Sequence, residues 1–150
     1  MFKKIILWCA LIFCMSLIFY FSSQEATVSK GTSSRFIKTI VRIIDFNDNL
    51  MEKEINAISE KLSTLVRKTA HFSIYAILCA LAALLLYQYG FFGWKQFLFA
   101  LAFCFLYACS DEIHQLFVEG RSGEIKDVLL DTLGGAFGSG IIKIFSIRRG

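Results

Sequence analysis

The chain has 150 residues, is 56% hydrophobic with 16 Phe, and carries a formal net charge of +4. One domain of this length cannot bury so much apolar surface in water, so a soluble globular protein is disfavoured and a membrane protein expected. The basic residues are scattered among acids without an aromatic-basic stripe, so nucleic-acid binding is not expected either.

In chain order, the first apolar segment runs from Ile5 to Phe21 without a charge. Lys3 and Lys4 precede it. Its length, and the lack of a small-x-small cleavage site before Glu25, read as a retained anchor rather than a leader. The loop that follows has helical periodicity. Phe36, Ile37, Ile40, Val41 and Ile44 recur on one face, with Arg35, Lys38 and Arg42 opposite, which predicts an amphipathic interfacial helix over about 33–45, capped by Thr32 or Ser33. Met51, Ile55, Ile58, Leu62 and Leu65 then form one apolar stripe, predicting a second helix over about 49–66 that starts at Asn47 or Asp48 and is able to run into the next span.

Three more spans follow at about 69–89, 91–109 and 128–147. With the first at about 5–21, the four are about 17–21 residues long, near what a helix needs to cross hydrocarbon. Backbone polar groups in lipid must bond internally, so the spans are expected to be helices. The predicted fold is an all-α integral membrane protein, one bundle of four transmembrane helices in a single domain over 1–150. Lys3, Lys4, Lys95, Arg148 and Arg149 favour cytoplasmic termini, although the Ser22–Lys68 loop holds eight Lys or Arg beside six acids. The five cysteines all lie inside apolar segments and read as small buried hydrophobes.

Chemistry concentrates in two places. Lys68, His71 and Tyr75, spaced three and four apart, share one helical face. His71 exchanges protons near neutral pH. The second place is Asp111-Glu112-Ile113-His114-Gln115, then Gly120-Arg121-Ser122-Gly123, Asp127 and Asp131. Charges beside hydrocarbon are costly and usually functional. Asp111, with Gln115 one turn on, is one candidate inward face and Glu112 is the other; both serve one site only if the helix ends or bends there. His114 points a third way, towards lipid or a neighbour. Gly120 to Gly123 reads as a turn. Arg121 suits a carboxylate or phosphate, with a salt bridge to Glu124, Asp127 or Asp111 as the structural alternative. Asp131 lies one turn deeper than Asp127, where Lys68 or Arg121 is the expected partner. Gly134 and Gly138 form a surface for close helix packing.

These motifs resemble the VanZ family of membrane proteins: Phe21-Ser22-Ser23-Gln24 after a first span, Arg67-Lys68-Thr69-Ala70-His71-Phe72 with Tyr75, and Asp111 to Phe117 followed by Gly120-Arg121-Ser122-Gly123 and Asp127 to Asp131. Order and spacing hold over nearly the whole chain. Glu119 stands where the family is expected to show Pro. The resemblance implies a multi-pass protein of a bacterial-type cell membrane, linked through the family's named member to resistance to glycopeptide antibiotics such as teicoplanin. Those drugs bind lipid-linked cell-wall precursors outside the membrane.

The expected site therefore faces outward between spans two, three and four. His71, Asp111 and Glu112 are the candidate catalytic groups, acting as acids and bases. Lys68, Tyr75, Gln115, Arg121, Asp127 and Asp131 are the candidate substrate-binding groups. No cofactor or metal is predicted; a divalent ion on Asp111, Glu112, His71 and Asp127 suits hard oxygen ligands but lacks a tight ligand spacing. Expected partners are membrane lipids and a lipid-linked precursor or glycopeptide antibiotic. The competing reading is a non-catalytic protein that binds or shields a head group, and a buried salt-bridge network would show the same residues.

Overall fold

A computed structural model describes residues 1–44 and 51–147. The expected helix start at Asn47 or Asp48, the expected boundaries at 45 and 49, and Arg148-Arg149 lie outside the described residues. The described residues form five helices: α1 (Phe2–Ser22), α2 (Ala26–Ile44), α3 (Glu52–Gln88), α4 (Gly93–Gln115) and α5 (Ile125–Ile147). There is no strand among the described residues. Four of the five, α1, α3, α4 and α5, are long and apolar enough to cross a membrane.

Burial is inverted relative to a soluble protein. Ile12, Phe13, Leu106, Leu133 and Phe145 point outward, while Gln96, Asp111, Asp131 and Ser139 are buried. Such a surface is stable only against hydrocarbon. Polar bonds tie the interior together: Gln96 Nε2 donates to the Ala83 carbonyl at 2.7 Å, and Tyr107 Oη to the Met15 carbonyl at 2.7 Å. Between α3 and α4 the chain turns at Gly90, whose φ of 87° disfavours a side chain.

The closest approach is between α3 and α5. A Cβ built on Gly134 would lie 2.3 Å from the Phe72 carbonyl oxygen, and one on Gly138 only 1.9 Å from that of Ala76. The two glycines let the helix backbones touch, as their spacing suggests. Both helices run away from the same membrane face, so their contacts climb in parallel register. Lys68 meets Asp127, His71 meets Asp131, Phe72 meets Gly134 and Ala76 meets Gly138. Ser22 at the end of α1 and Asp111 near the end of α4 lie at that same face.

One local expectation is corrected. Thr32 and Ser33 do not cap the first loop helix; α2 starts at Ala26. Their hydroxyls donate to the carbonyls of Val28 at 3.0 Å and Ser29 at 3.1 Å, one turn back, which lets a helix contain them. The stripe before the second span lies on a helix, as its spacing predicts, but is only partly buried. Ile55, Ser59 and Ser63 are buried, whereas Met51, Leu62 and Leu65 are exposed. The second loop helix and second span form one 37-residue helix, about 55 Å long at 1.5 Å per residue. Residues of α2 and of α3 around Arg67 line the cavities described below.

Candidate functional site: a polar pocket beside an apolar one

The site is built where α1 and α4 end and α5 begins. Helix α4 runs six residues past Cys109, so Asp111 to Gln115 lie on its last turn and not in a loop. Asp111, Glu112 and Gln115 are all buried. The two adjacent carboxylates converge through Gln115, three and four residues on. Its Nε2 donates to Asp111 Oδ2 at 3.2 Å and to Glu112 Oε1 at 3.1 Å. Ser22 Oγ also donates to Asp111 Oδ2, at 2.9 Å. Glu112 Oε2 accepts the backbone N–H of Glu124 at 2.9 Å, pinning the α4–α5 loop. That loop passes so close that a Cβ on Gly123 would lie 2.8 Å from the Glu112 carbonyl oxygen. His114 faces a neighbour: it stacks on Phe19 at 4.5 Å between ring centroids and sits 3.0 Å from Ser23 Oγ.

Arg121 takes none of its three expected ion-pair partners. Its Nε donates to the Gln24 carbonyl at 2.8 Å, Nη2 to the Phe21 carbonyl at 2.9 Å and Nη1 to Gln115 Oε1 at 3.1 Å. The last carbonyls of a helix lack intrahelical donors, and the guanidinium fork bridges the Phe21 carbonyl at the end of α1 and the Gln24 carbonyl just beyond it. Burial and the nearby Arg67 pull its pKa down from the ordinary arginine value, against the opposing pull of Asp111 and Glu112. It remains charged in any case. Three of its five N–H groups are used, leaving two for a ligand.

Lys68 Nζ and Asp127 Oδ1 form an ion pair at 2.5 Å. Neither Lys68 nor Arg121, the partners expected from sequence, pairs with Asp131. The parallel register places it level with His71, one turn deeper, with 3.6 Å between His71 Nδ1 and Asp131 Oδ2. Asp131 is 1% exposed, and neither of its oxygens has a hydrogen-bond partner. Tyr75 follows His71 on the same face, with 6.5 Å between ring centroids. It is fully buried, its hydroxyl also lacks a partner, and it lines neither pocket described below.

One atom each of His71, Asp111 and Asp131 lies within 4.8 Å of the other two. The four-residue metal set considered from sequence is thus not what assembles. Glu112 and Asp127 are drawn off to the loop backbone and Lys68, and Asp131 takes their place.

Two cavities meet here. The polar one, about 190 Å³, is lined by Lys30, Arg67, Lys68, His71, Glu112, Gln115, Arg121, Asp127 and Asp131, among others. The second, about 220 Å³, lies between α1, α2 and α3 and is mainly apolar, with Ile18, Phe21, Val66, Ala70 and Ile74 in its wall. Arg67, His71 and Arg121 line both. Sequence reasoning singled out neither Lys30 nor Arg67 as site residues. Arg67 sat in view beside Lys68, but nothing in the sequence of α2 signals that Lys30 reaches the pocket. Ser22 was visible only as part of the Ser-Ser-Gln motif.

A family model described as VanZ/LLP1 matches residues 7–146. The chain belongs to the VanZ-like family. No curated protein and no solved structure gives a significant match. Every polar group assembled above falls within the matched region, so the pocket is part of the VanZ-like domain and not an appendage to it.

Proposed function

We propose that this VanZ-like protein binds an amphiphile at the outer face of the cell membrane, with an anionic head group in the polar pocket and an acyl or prenyl chain in the apolar one. The observation that carries this reading is the shared wall of Arg67, His71 and Arg121 between the two cavities. Arg67 and Lys30 have no ion-pair partner among the described residues, and Arg121 keeps two N–H groups for an anion. Arginine forks recognise phosphate and carboxylate bidentately. Each cavity is smaller than the roughly 300–1,000 Å³ that encloses a drug-sized ligand. Their size suits one head group and part of one chain, as in a lipid-linked cell-envelope precursor or the lipid end of a lipopeptide-type drug. The basic Lys3, Lys4 and Lys95 at the opposite end support an outward site, the side on which glycopeptide antibiotics meet their precursor target.

In this reading the head group is brought against His71, Asp111 and Asp131, which form the reacting end. The second reading, binding or shielding without chemistry, draws on a specific feature: Glu112 and Arg121 are already occupied in holding the loop and the end of α1.

The test is mass analysis of the chain purified in mild detergent, together with the envelope lipids and precursors of cells with and without it. Wild-type protein is expected to retain an anionic amphiphile. Arg67→Gln, and Ala70→Trp in the apolar wall, are expected to lose it at normal abundance. A changed precursor or lipid profile that depends on His71 supports chemistry, and an unchanged profile with retained ligand supports the binding reading. Failure of the wild-type protein to retain any anionic amphiphile would overturn both. Glycopeptide susceptibility of cells carrying His71→Ala, Asp111→Asn, Glu112→Gln and Arg121→Lys, with abundance measured in parallel, links the pocket to resistance.

A further inference from the structure

The pocket floor has an unresolved charge problem. Asp111 on α4 and Asp131 on α5 are both buried, and each places an oxygen within 4.8 Å of the other and of a His71 ring nitrogen on α3. Two carboxylates this close, out of water, repel strongly and lose their hydration. Native structures relieve such groups by pairing them or by metal coordination. None of the cations lining the cavity pairs with either acid: Lys68 binds Asp127, Arg121 binds two carbonyls and Gln115, and Arg67 and Lys30 form no ion pair among the described residues. His71 Nδ1 at 3.6 Å from Asp131 is too distant for a hydrogen bond. Asp131 is left 1% exposed with both oxygens unpartnered, and the Tyr75 hydroxyl one turn below is orphaned as well. Buried polar groups are almost always satisfied, and an orphaned carboxylate aimed at a second carboxylate and an imidazole points to a missing cation.

We propose that His71, Asp111 and Asp131 bind a divalent cation of the zinc or manganese class. The donor set decides the class. One imidazole nitrogen with carboxylate oxygens suits a first-row transition metal, whereas magnesium and calcium favour all-oxygen shells. The geometry is close to closed. Donors about 2.1 Å from one ion are at most about 4.2 Å apart, so small side-chain rotations bring the three into range. The supporting bonds are also present. Ser22 and Gln115 both donate to Oδ2 of Asp111 and leave Oδ1 to another partner. Such outer contacts orient ligating carboxylates. Three protein ligands leave coordination positions open. His71 and Asp131 both line the polar cavity, so the open side faces the place where the proposed head group sits. The ion would neutralise the two acids and give an anionic head group something to bind. Only this last step rests on the amphiphile reading; the metal site stands on the three side chains.

The experiment uses the full chain in detergent, stripped with chelator, dialysed against zinc or manganese, desalted and analysed for metal. About one equivalent per chain is expected, with a rise in thermal midpoint that chelator reverses and that magnesium or calcium does not reproduce. Asp131→Asn and His71→Ala are expected to weaken binding at least tenfold. Cys104→Ala, which removes one of the thiols nearest the bundle centre, is expected to retain the metal. Wild-type protein that takes up no stoichiometric zinc or manganese and gains no stability overturns the proposal, whatever the variants do. So does metal lost with Cys104 but kept without Asp131. Because metal content is read directly, an amphiphile retained without metal sinks only this inference, and metal bound without an amphiphile sinks only the preceding one.

Discussion

The hydroxyl of Ser22, the last residue of α1, donates to the Asp111 carboxylate on α4 at 2.9 Å, and both residues are buried. The bond joins positions 89 residues apart and fixes how the first span meets the acidic turn. Hydrogen bonds to a buried charged group typically contribute about 1.5–3 kcal/mol. Ser22→Ala is therefore expected to destabilise the protein by roughly 2 kcal/mol and, as a change in the support of a ligand, to weaken zinc or manganese binding about tenfold. Thermal unfolding in detergent and metal titration read the two effects separately. An unchanged midpoint would show that Asp111 does not depend on this donor.

The α3–α5 contact predicts a sharp difference between neighbouring glycines. A Cβ at 138 would sit 1.9 Å from the Ala76 carbonyl oxygen, and one at 140 would meet only the Phe97 ring, at 4.0 Å. Gly138→Ala must push two helix backbones apart and is expected to cost about 1–3 kcal/mol. Gly140→Ala is expected to be neutral within about 0.5 kcal/mol. Because the same contact sets Asp131 level with His71, Gly138→Ala should also lower metal uptake. Equal stability of the two variants would contradict the described helix approach.

The spans and the pairing of Lys68, His71 and Tyr75 on one face were legible because they depend on spacing within a single helix. The partner of each charge was not, because it depends on register between helices. From sequence, Asp131 had Lys68 or Arg121 as its natural partner. In the parallel register set by Gly134 and Gly138, Asp127 reaches Lys68 first and Asp131 drops to His71. The salt bridges open to Arg121 from sequence are absent for a similar reason: two of its three acceptors are the main-chain carbonyls of Phe21 and Gln24, at and just past the end of α1, which leave no mark in the sequence of the loop. The buried side of α3 ahead of its span, Ile55, Ser59 and Ser63, includes only one residue of the apolar stripe, because the two serines carry no apolar signal.

Topology gives an independent prediction. The ends of α1 and α4 and the start of α5 lie at the site face, and Trp8, Tyr89 and Trp94 mark the other. Trp8 Nε1 is 3.4 Å from Tyr89 Oη, and Lys143 Nζ lies 2.8 Å from the Trp94 ring centroid. With the termini inside, a C-terminal green fluorescent fusion is expected to fluoresce and a C-terminal alkaline phosphatase fusion to be inactive. A phosphatase inserted in the α4–α5 loop at Ser122, in contrast, should be active. The opposite pattern would put the pocket on the cytoplasmic side, and its ligand would then be a lipid of the inner leaflet.

Arg121 separates an anchoring role from a purely electrostatic one. If only its charge matters, lysine should serve nearly as well. The structure gives it three acceptors in different directions: the Phe21 and Gln24 carbonyls and Gln115 Oε1. A planar fork reaches all three, whereas a lysine ammonium is a point charge on a flexible stem and cannot. Arg121→Lys is accordingly expected to behave like Arg121→Ala, destabilising by about 2 kcal/mol and freeing the α4–α5 loop to proteolysis. Both cavities share Arg121 as wall, so both variants should also lose the retained amphiphile. Thermal unfolding, limited proteolysis between Leu116 and Glu124, and ligand mass analysis measure these effects on one preparation. Full rescue by lysine would mean that the end of α1 is held without this anchor, and that Arg121 contributes its charge alone.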